Sequence, residues 1–155
     1  MTARDPEKLK QKLFDFAKDF PFFKHMGFEL IDFGPQWAKA KITLKDELRN
    51  PNGVMHGGVV ATLMDAAITQ SMLTTDIYQE IRDTRGQMTT VDLRVKYLRP
   101  LTKGTATCEA EITHLGRRIA HASATVKNDD GKVVATGDSI LIITLGDRKP
   151  EAKAG

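Results

Sequence analysis

From Ala38 to Leu44 the chain alternates apolar and polar residues, with Ala38, Ala40, Ile42 and Leu44 on one side and Lys39, Lys41 and Thr43 on the other. A period of two predicts a strand with one buried and one wet face. Four later segments carry strand signatures too. Val91, Leu93, Val95 and Tyr97 form the apolar set of one, and Ala106, Cys108, Ala110 and Ile112 that of the next. The last two, over residues 118–127 and 132–145, flank Asn-Asp-Asp-Gly, a hairpin turn. Two further segments repeat with a helical period. Leu9, Leu13, Phe16, Ala17 and Phe20 make a stripe over residues 6–20, with Pro6 suited to the first turn. Residues 59–73 are apolar on nearly every side, so this helix has to be enclosed. Consecutive strands joined by short turns pair antiparallel, and the simplest α+β packing curls their sheet around the one buried helix.

A chain of 155 residues, 41% hydrophobic and 28% charged, is long enough for one real core. No repeat, low-complexity linker or break in composition marks a second domain. The expected division is an N-terminal helical segment over residues 1–25, one domain over 26–147, and a flexible tail over 148–155 with the composition of a frayed terminus. The stretch TTDIYQEIRDTRGQ after the apolar helix is a polar connection with room for a helical turn. Lys and Arg number 23 against 20 Asp and Glu, giving a net charge of +3 and a pI near 9.0. The basic residues are scattered among acids, which suits an anionic small molecule. No basic stripe interleaved with aromatics supports a nucleic-acid partner. The single Cys108 excludes an internal disulfide and a multi-cysteine metal site, and is expected to be a small buried residue. The N-terminus lacks the apolar segment of a secretory signal, and no run approaches the ~18 apolar residues of a membrane span. The expectation is a soluble, cytoplasmic protein with no membrane partner.

One segment carries the candidate chemistry. NPNGVMHGGVVATLMDAAITQSML, residues 50–73, passes from a turn into the apolar helix, and inside that helix stands one acid, Asp65. An unpartnered buried carboxylate is very unfavourable, so Asp65 must be protonated, hydrogen-bonded or facing a wet cleft. Its bland alternative is a polar stripe with Thr62, Thr69 and Gln70. Gly57 and Gly58 sit where loop becomes helix. There the first N–H groups lack internal partners and carry the positive end of the helix dipole, so they can hold an oxygen on which negative charge develops. Two glycines can equally serve only a tight turn.

The spacing Asn50-x-x-Gly53-x-x-His56-Gly57-Gly58-(x)6-Asp65 resembles the active-site signature of the hotdog-fold acyl-CoA thioesterases of the phenylacetate-pathway (PaaI-like) type. VDLRVKYLRP and GRRIAHASATV resemble later strands of that family, and the order of elements agrees from about residue 26 to 145, although the connection 74–89 is long for the pattern. The resemblance implies hydrolysis of an acyl-CoA thioester to a carboxylate and coenzyme A, with no cofactor and no metal. It casts Asp65 as general base or nucleophile and Gly57 and Gly58 as the carbonyl-holding turn. It casts Asn50 as a group orienting the attacking water, although capping a turn is the commoner use of Asn. His56 either bonds near the thioester sulfur or fixes the turn. Thr90 matches a position whose hydroxyl helps to hold the water or the acid, and Thr is also an ordinary strand residue. Arg99, Lys103, Arg117 and Arg118 fall at strand ends that the family uses around the nucleotide phosphates. A non-catalytic module that only binds acyl-CoA is the rival reading, and such a module would not need an acid at position 65.

Helix geometry adds a constraint. Asp65 lies seven residues beyond Gly58, about 10 Å along the axis and nearly on the same face. General-base contacts are about 3 Å. A carbonyl held at this helix N-terminus is therefore expected to meet Asp65 from a second copy across a two-fold axis, in a homodimer with shared sites or a dimer of such dimers. All seven Phe lie between Phe14 and Phe33. Of these, Phe22, Phe23 and Phe28 either dock the N-terminal helix on the sheet or also wall an acyl pocket.

Overall fold

The computed structural model describes residues 6–147, and the expected tail at 148–155 lies outside the described residues. Helices α1 (Pro6–Asp19) and α2 (Pro21–Met26) lead into strands β1 (Phe28–Gly34) and β2 (Trp37–Thr43). A single 3-10 turn (Asp46–Leu48) precedes the central helix α3 (Gly57–Gln70) and a shorter helix α4 (Asp76–Thr84). Strands β3 (Gln87–Tyr97), β4 (Thr105–Leu115), β5 (Ile119–Lys127) and β6 (Val133–Thr144) complete the chain. The six strands form one antiparallel sheet in the order β1-β2-β4-β5-β6-β3.

The sheet accepts α3 because its inner face is lined with small residues. Ala38 and Ala40 of β2, Ala106, Cys108 and Ala110 of β4, and Ala120, Ala122 and Ala124 of β5 are all buried. Their short side chains let the helix lie close and sink Leu63, Met64 and Ile68 completely, each worth about 1.5–3 kcal/mol of apolar burial. Burial pushes the Cys108 thiol up to about 12, with the Glu109 carboxylate adding to the shift, so the group is a neutral filler at ordinary pH.

Strand β1 has no counterpart among the sequence-predicted elements. A bulge at Ile31 is the physical reason: Leu30 pairs with Ala40 and Asp32 with Lys39, leaving Ile31 over. The inward set therefore changes parity from Phe28 to Phe33, and no single alternation runs through the segment. Helix α1 packs against this edge through the Phe14–Phe33 ring pair, with centroids 5.2 Å apart, and a Lys10–Asp32 ion pair at 2.6 Å. The predicted helix over 59–73 runs from Gly57 to Gln70 and gives way to turns, where the Ser71 hydroxyl donates to the carbonyl of Ile68 at 2.6 Å. The polar connection holds a nine-residue helix, α4, capped by Thr75, whose hydroxyl accepts from the Tyr78 N–H at 3.4 Å.

At the other end of the sheet, β3 has no strand beyond it among the described residues. It carries a bulge too. Thr90 pairs with Leu141 and Asp92 with Ile140, so Val91 is the extra residue and stands 53% exposed instead of joining the inward set. Thr90 takes the inward place on one side of the bulge, and Leu93 and Val95 take it on the other. No helix among the described residues is long and apolar enough to cross a membrane.

Candidate active site

The loop before α3 is pinned before it reaches the helix. Asn50 closes an Asx turn, its side-chain oxygen accepting from the N–H of Asn52 at 2.9 Å and of Val54 at 3.3 Å. Gly53, at φ 77°, supplies the left-handed residue that this turn requires. Arg49 donates to the carbonyls of Gly53 and Thr102, tying the turn to the β3–β4 connection. The N–H of Met55 then bonds the carbonyl of Leu101 at 2.9 Å, and that of His56 the carbonyl of Leu48 at 2.8 Å.

His56 is the N-cap of α3. Its Nδ1 accepts from the N–H of Gly58 at 2.9 Å, and its carbonyl accepts from Val59 at 2.9 Å and Val60 at 3.4 Å. The carbonyl of Gly57 accepts from the Tyr97 hydroxyl at 2.8 Å. Every polar group of the two peptide units around Gly57 is thereby occupied except one. Among the described residues, the Gly57 N–H has no acceptor, and it sits at the positive end of the helix dipole. The two glycines make room chiefly for protein side chains: a Cβ at position 57 would stand 3.1 Å from the Tyr97 ring, and one at position 58 would stand 3.0 Å from the His56 imidazole.

Further along the same helix, Asp65 is half-buried. The Thr90 hydroxyl donates to its Oδ1 at 2.8 Å, while the Thr69 hydroxyl returns to the Asp65 carbonyl at 3.0 Å. No hydrogen bond to Oδ2 occurs among the described residues, which leaves one carboxylate oxygen open to a water.

A hollow of about 360 Å³ opens at the helix N-terminus, lined by Asn50, Gly57, Val60, Tyr97, Arg99 and Leu101 among others. Larger hollows lie elsewhere, such as one of about 580 Å³ on the outer face of the sheet between Trp37 and Lys127, and none of them contains Gly57 or Asp65. The four basic residues divide into two pairs. Arg99 and Lys103 both precede β4; Arg99 borders the hollow at the α3 N-terminus, and its guanidinium donates to the Val133 carbonyl at 2.6 Å. Arg117 and Arg118 follow the other end of β4, where Arg117 pairs with Glu80 at 2.9 Å. The 11 residues of β4 hold the pairs about 35 Å apart, so within one protomer they do not meet at one phosphate. Phe23 and Phe28 are buried with ring centroids 4.3 Å apart, and Phe22 is 49% exposed. None of the three lines the hollow at the helix N-terminus.

Tyr97 is the site residue that sequence reasoning counted only as an apolar strand position. Its register relative to Gly57 depends on the bulge at Val91, which no local signal announces.

A family model described as the thioesterase superfamily matches residues 52–135, just over half of the chain. The chain belongs to the thioesterase superfamily. It is a hotdog-fold thioester hydrolase, as the motif around Asp65 led us to expect. Among its relatives is the medium/long-chain acyl-CoA thioesterase YigI of Salmonella typhimurium, 27% identical over 152 residues that cover 92% of this chain and 97% of that one. A conserved protein of Pseudomonas aeruginosa superposes with a TM-score of 0.71 at 27% identity, covering 79% of this chain and 93% of its own. A variant of the phenylacetic acid degradation protein PaaI from Thermus thermophilus does so at 0.67 and 25%, covering 79% and 97%.

Proposed function

We propose that this thioester hydrolase acts on acyl-CoA, releasing a carboxylate and free coenzyme A. The observation that carries the reading is the pairing, on one helix, of an unoccupied N–H at Gly57 with a carboxylate held on one oxygen by Thr90. The Gly57 N–H polarises the thioester carbonyl and receives the charge that develops on its oxygen. Asp65 of the partner subunit takes a proton from water as that water attacks the carbonyl carbon. The C–S bond then breaks, and the thiolate leaves readily because its conjugate thiol has a pKa of about 8.5. Arg99 is the basic residue best placed to meet a phosphate of the nucleotide, since it borders the hollow at the helix N-terminus. The name of the Salmonella relative supports an acyl-CoA substrate.

Two features support a site shared between subunits. Gly57 and Asp65 of one chain are eight residues apart on α3, about 12 Å along the axis, too far for one water to bridge. The free edge of β3 runs for 11 residues and carries Thr90, so a second copy adding its own β3 there would bring the two helices side by side and antiparallel.

Purified protein assayed for thiol release on short, medium, long and aromatic acyl-CoAs tests the substrate class. Failure on every one, with turnover of another thioester, would refute it. Mixing Asp65→Asn subunits with Gly57→Val subunits tests the sharing, because each mixed dimer keeps one intact site of two. Mixed dimers that form and stay inactive would refute that geometry. A single turnover in ¹⁸O-labelled water should leave the Asp65 carboxylate unlabelled, whereas label in that side chain would make it the nucleophile.

A further inference from the structure

We infer that Tyr97 is a positioning residue for the reaction: together with His56 it clamps the peptide unit between Gly57 and Gly58 and so aims the Gly57 N–H. The inference rests on the acyl-CoA hydrolase reading above and goes beyond it by assigning a residue that the signature around Asp65 does not contain.

The Gly57–Gly58 peptide has two polar groups, and each is held by a side chain from a different element. Its N–H, that of Gly58, is taken by His56 Nδ1 at 2.9 Å, and its C=O, that of Gly57, by the Tyr97 hydroxyl at 2.8 Å. Two glycines in succession give the chain more rotational freedom than any other pair, and the first turn of a helix is where intrahelical bonds constrain it least. Without a second anchor, rotation about Gly57 would let its N–H swing, and a donor that stabilises a transition state is effective only when its direction is fixed in advance. Tyr97 provides that anchor from outside the helix. Its ring also fills the space beside the Gly57 Cα, 3.1 Å from where a Cβ would stand, so the alternative tilt of the peptide toward β3 is blocked.

Register makes the arrangement specific to this strand. Thr90 and Tyr97 are seven residues apart on β3, an odd separation, and on an unbroken strand they would face opposite sides of the sheet. The extra residue Val91 between them reverses the parity. One strand thereby delivers a hydroxyl to each functional group of α3, Thr90 to the carboxylate and Tyr97 to the helix N-terminus. Tyr97 is 55% exposed, so its hydroxyl is not placed there to satisfy a buried carbonyl, and its loss leaves little to destabilise.

The test compares Tyr97→Phe, which keeps the ring and removes the O–H, with the parent enzyme on one acyl-CoA. A neutral hydrogen bond worth about 1 kcal/mol converts to a fall in kcat of about fivefold, with KM unchanged and the melting temperature within a degree or two. The same substitution in a Gly57→Ala background should cost less than a further twofold, because the added methyl has already displaced the ring. An unchanged kcat in Tyr97→Phe overturns the inference. So does a rise in KM that accounts for the whole loss, which would make Tyr97 a substrate contact, and so does a Gly57→Ala double variant whose loss is the product of the two single ones. Failure of the acyl-CoA hydrolase reading is visible separately, as a parent enzyme that releases no thiol from any acyl-CoA, whereas full activity of Asp65→Asn would remove only the role of that carboxylate. If Asp65→Asn is inactive while Tyr97→Phe is normal, only the role of Tyr97 falls.

Discussion

Replacing Asp65 by Asn is the perturbation that the structure makes cleanest. Asn has the shape of Asp and keeps a side-chain oxygen in the place of Oδ1, so the Thr90 hydroxyl, now 2.8 Å from that atom, retains an acceptor. A hydrogen bond to a charged acceptor, worth about 1.5–3 kcal/mol, becomes one to a neutral acceptor, worth about 0.5–1.5 kcal/mol. Removing a charge from a half-buried position returns part of that difference through lower desolvation. The net change is about 1 kcal/mol or less, a shift in melting temperature of about 2–4 °C for a domain of this size. The catalytic effect is of another order, because an amide cannot accept the proton of the attacking water. General-base catalysis contributes about 10²–10⁴ in rate, at least about 2.7 kcal/mol of barrier. The assay is continuous thiol release from an acyl-CoA at saturating substrate, beside a thermal melt of the same preparation. A folded Asp65→Asn enzyme that keeps more than a tenth of the parent kcat would refute the role given to this carboxylate.

Thr90→Val should lower kcat by about tenfold, less than Asp65→Asn, and Thr90→Ser should restore most of it; equal activity of Val and Thr enzymes would remove the hydroxyl from the mechanism. His56→Ala deletes the N-cap of α3 and should cost about 1 kcal/mol, seen as a lower melting temperature together with lower kcat; a variant as stable and as active as the parent would contradict both uses of the imidazole. Arg99→Ala should raise KM for acyl-CoA about fivefold and leave KM for a thioester lacking the nucleotide unchanged; an equal rise for both would assign Arg99 to folding the hollow. The Glu109 carboxylate is held below its ordinary pKa of 4.5, first by its bond to Lys127 and then by Lys39. This pairing therefore stabilises the fold above about pH 4.5 and is lost as pH falls through the lowered value. Glu109→Gln should flatten the acid limb of a melting-temperature profile, and an unchanged limb would show that the pairing contributes nothing.

The elements legible from the pattern of apolar positions are those where the pattern is unbroken. Strands β2 and β5 alternate throughout, and β4 does so as far as Ile112, before the register shift at Thr113, because each has one buried and one wet face. Helix α3 was legible from the opposite property, apolar residues all round. Strand β1 escaped because the bulge at Ile31 reverses its inward parity after three residues. Helix α4 escaped because its polar residues form most of its surface and only Ile81 and Thr84 are buried. In β1 a local irregularity overrides the periodic signal, and in α4 too few apolar residues are present to carry one; periodicity is all that a single sequence offers there.

The site divides along the same line. Asp65 stood out because a carboxylate in an apolar helix violates the environment around it, and Gly57, Gly58 and His56 stood out because they mark the point where that helix begins. What these groups do to one another was not legible. Sequence read Gly57 and Gly58 as a turn that holds a substrate carbonyl, and it gave no sign that Tyr97 and His56 stand beside them. The His56 contact is local to the turn, but the Tyr97 contact depends on where β3 lies against α3, and that placement depends on a single unpaired residue, Val91, whose side chain takes part in neither. A bulge on an edge strand costs little, because the strand has only one neighbour with which to lose pairing. It also gives the strand a choice that a regular one lacks: Thr90 can face Asp65 and Tyr97 can face Gly57 at once. Central strand β4 carries a register shift too, between Ile112 and His114, but at the border a shift disturbs a single ladder. In the two-fold assembly proposed above, that border would be where the carboxylate of one copy meets the helix N-terminus of the other.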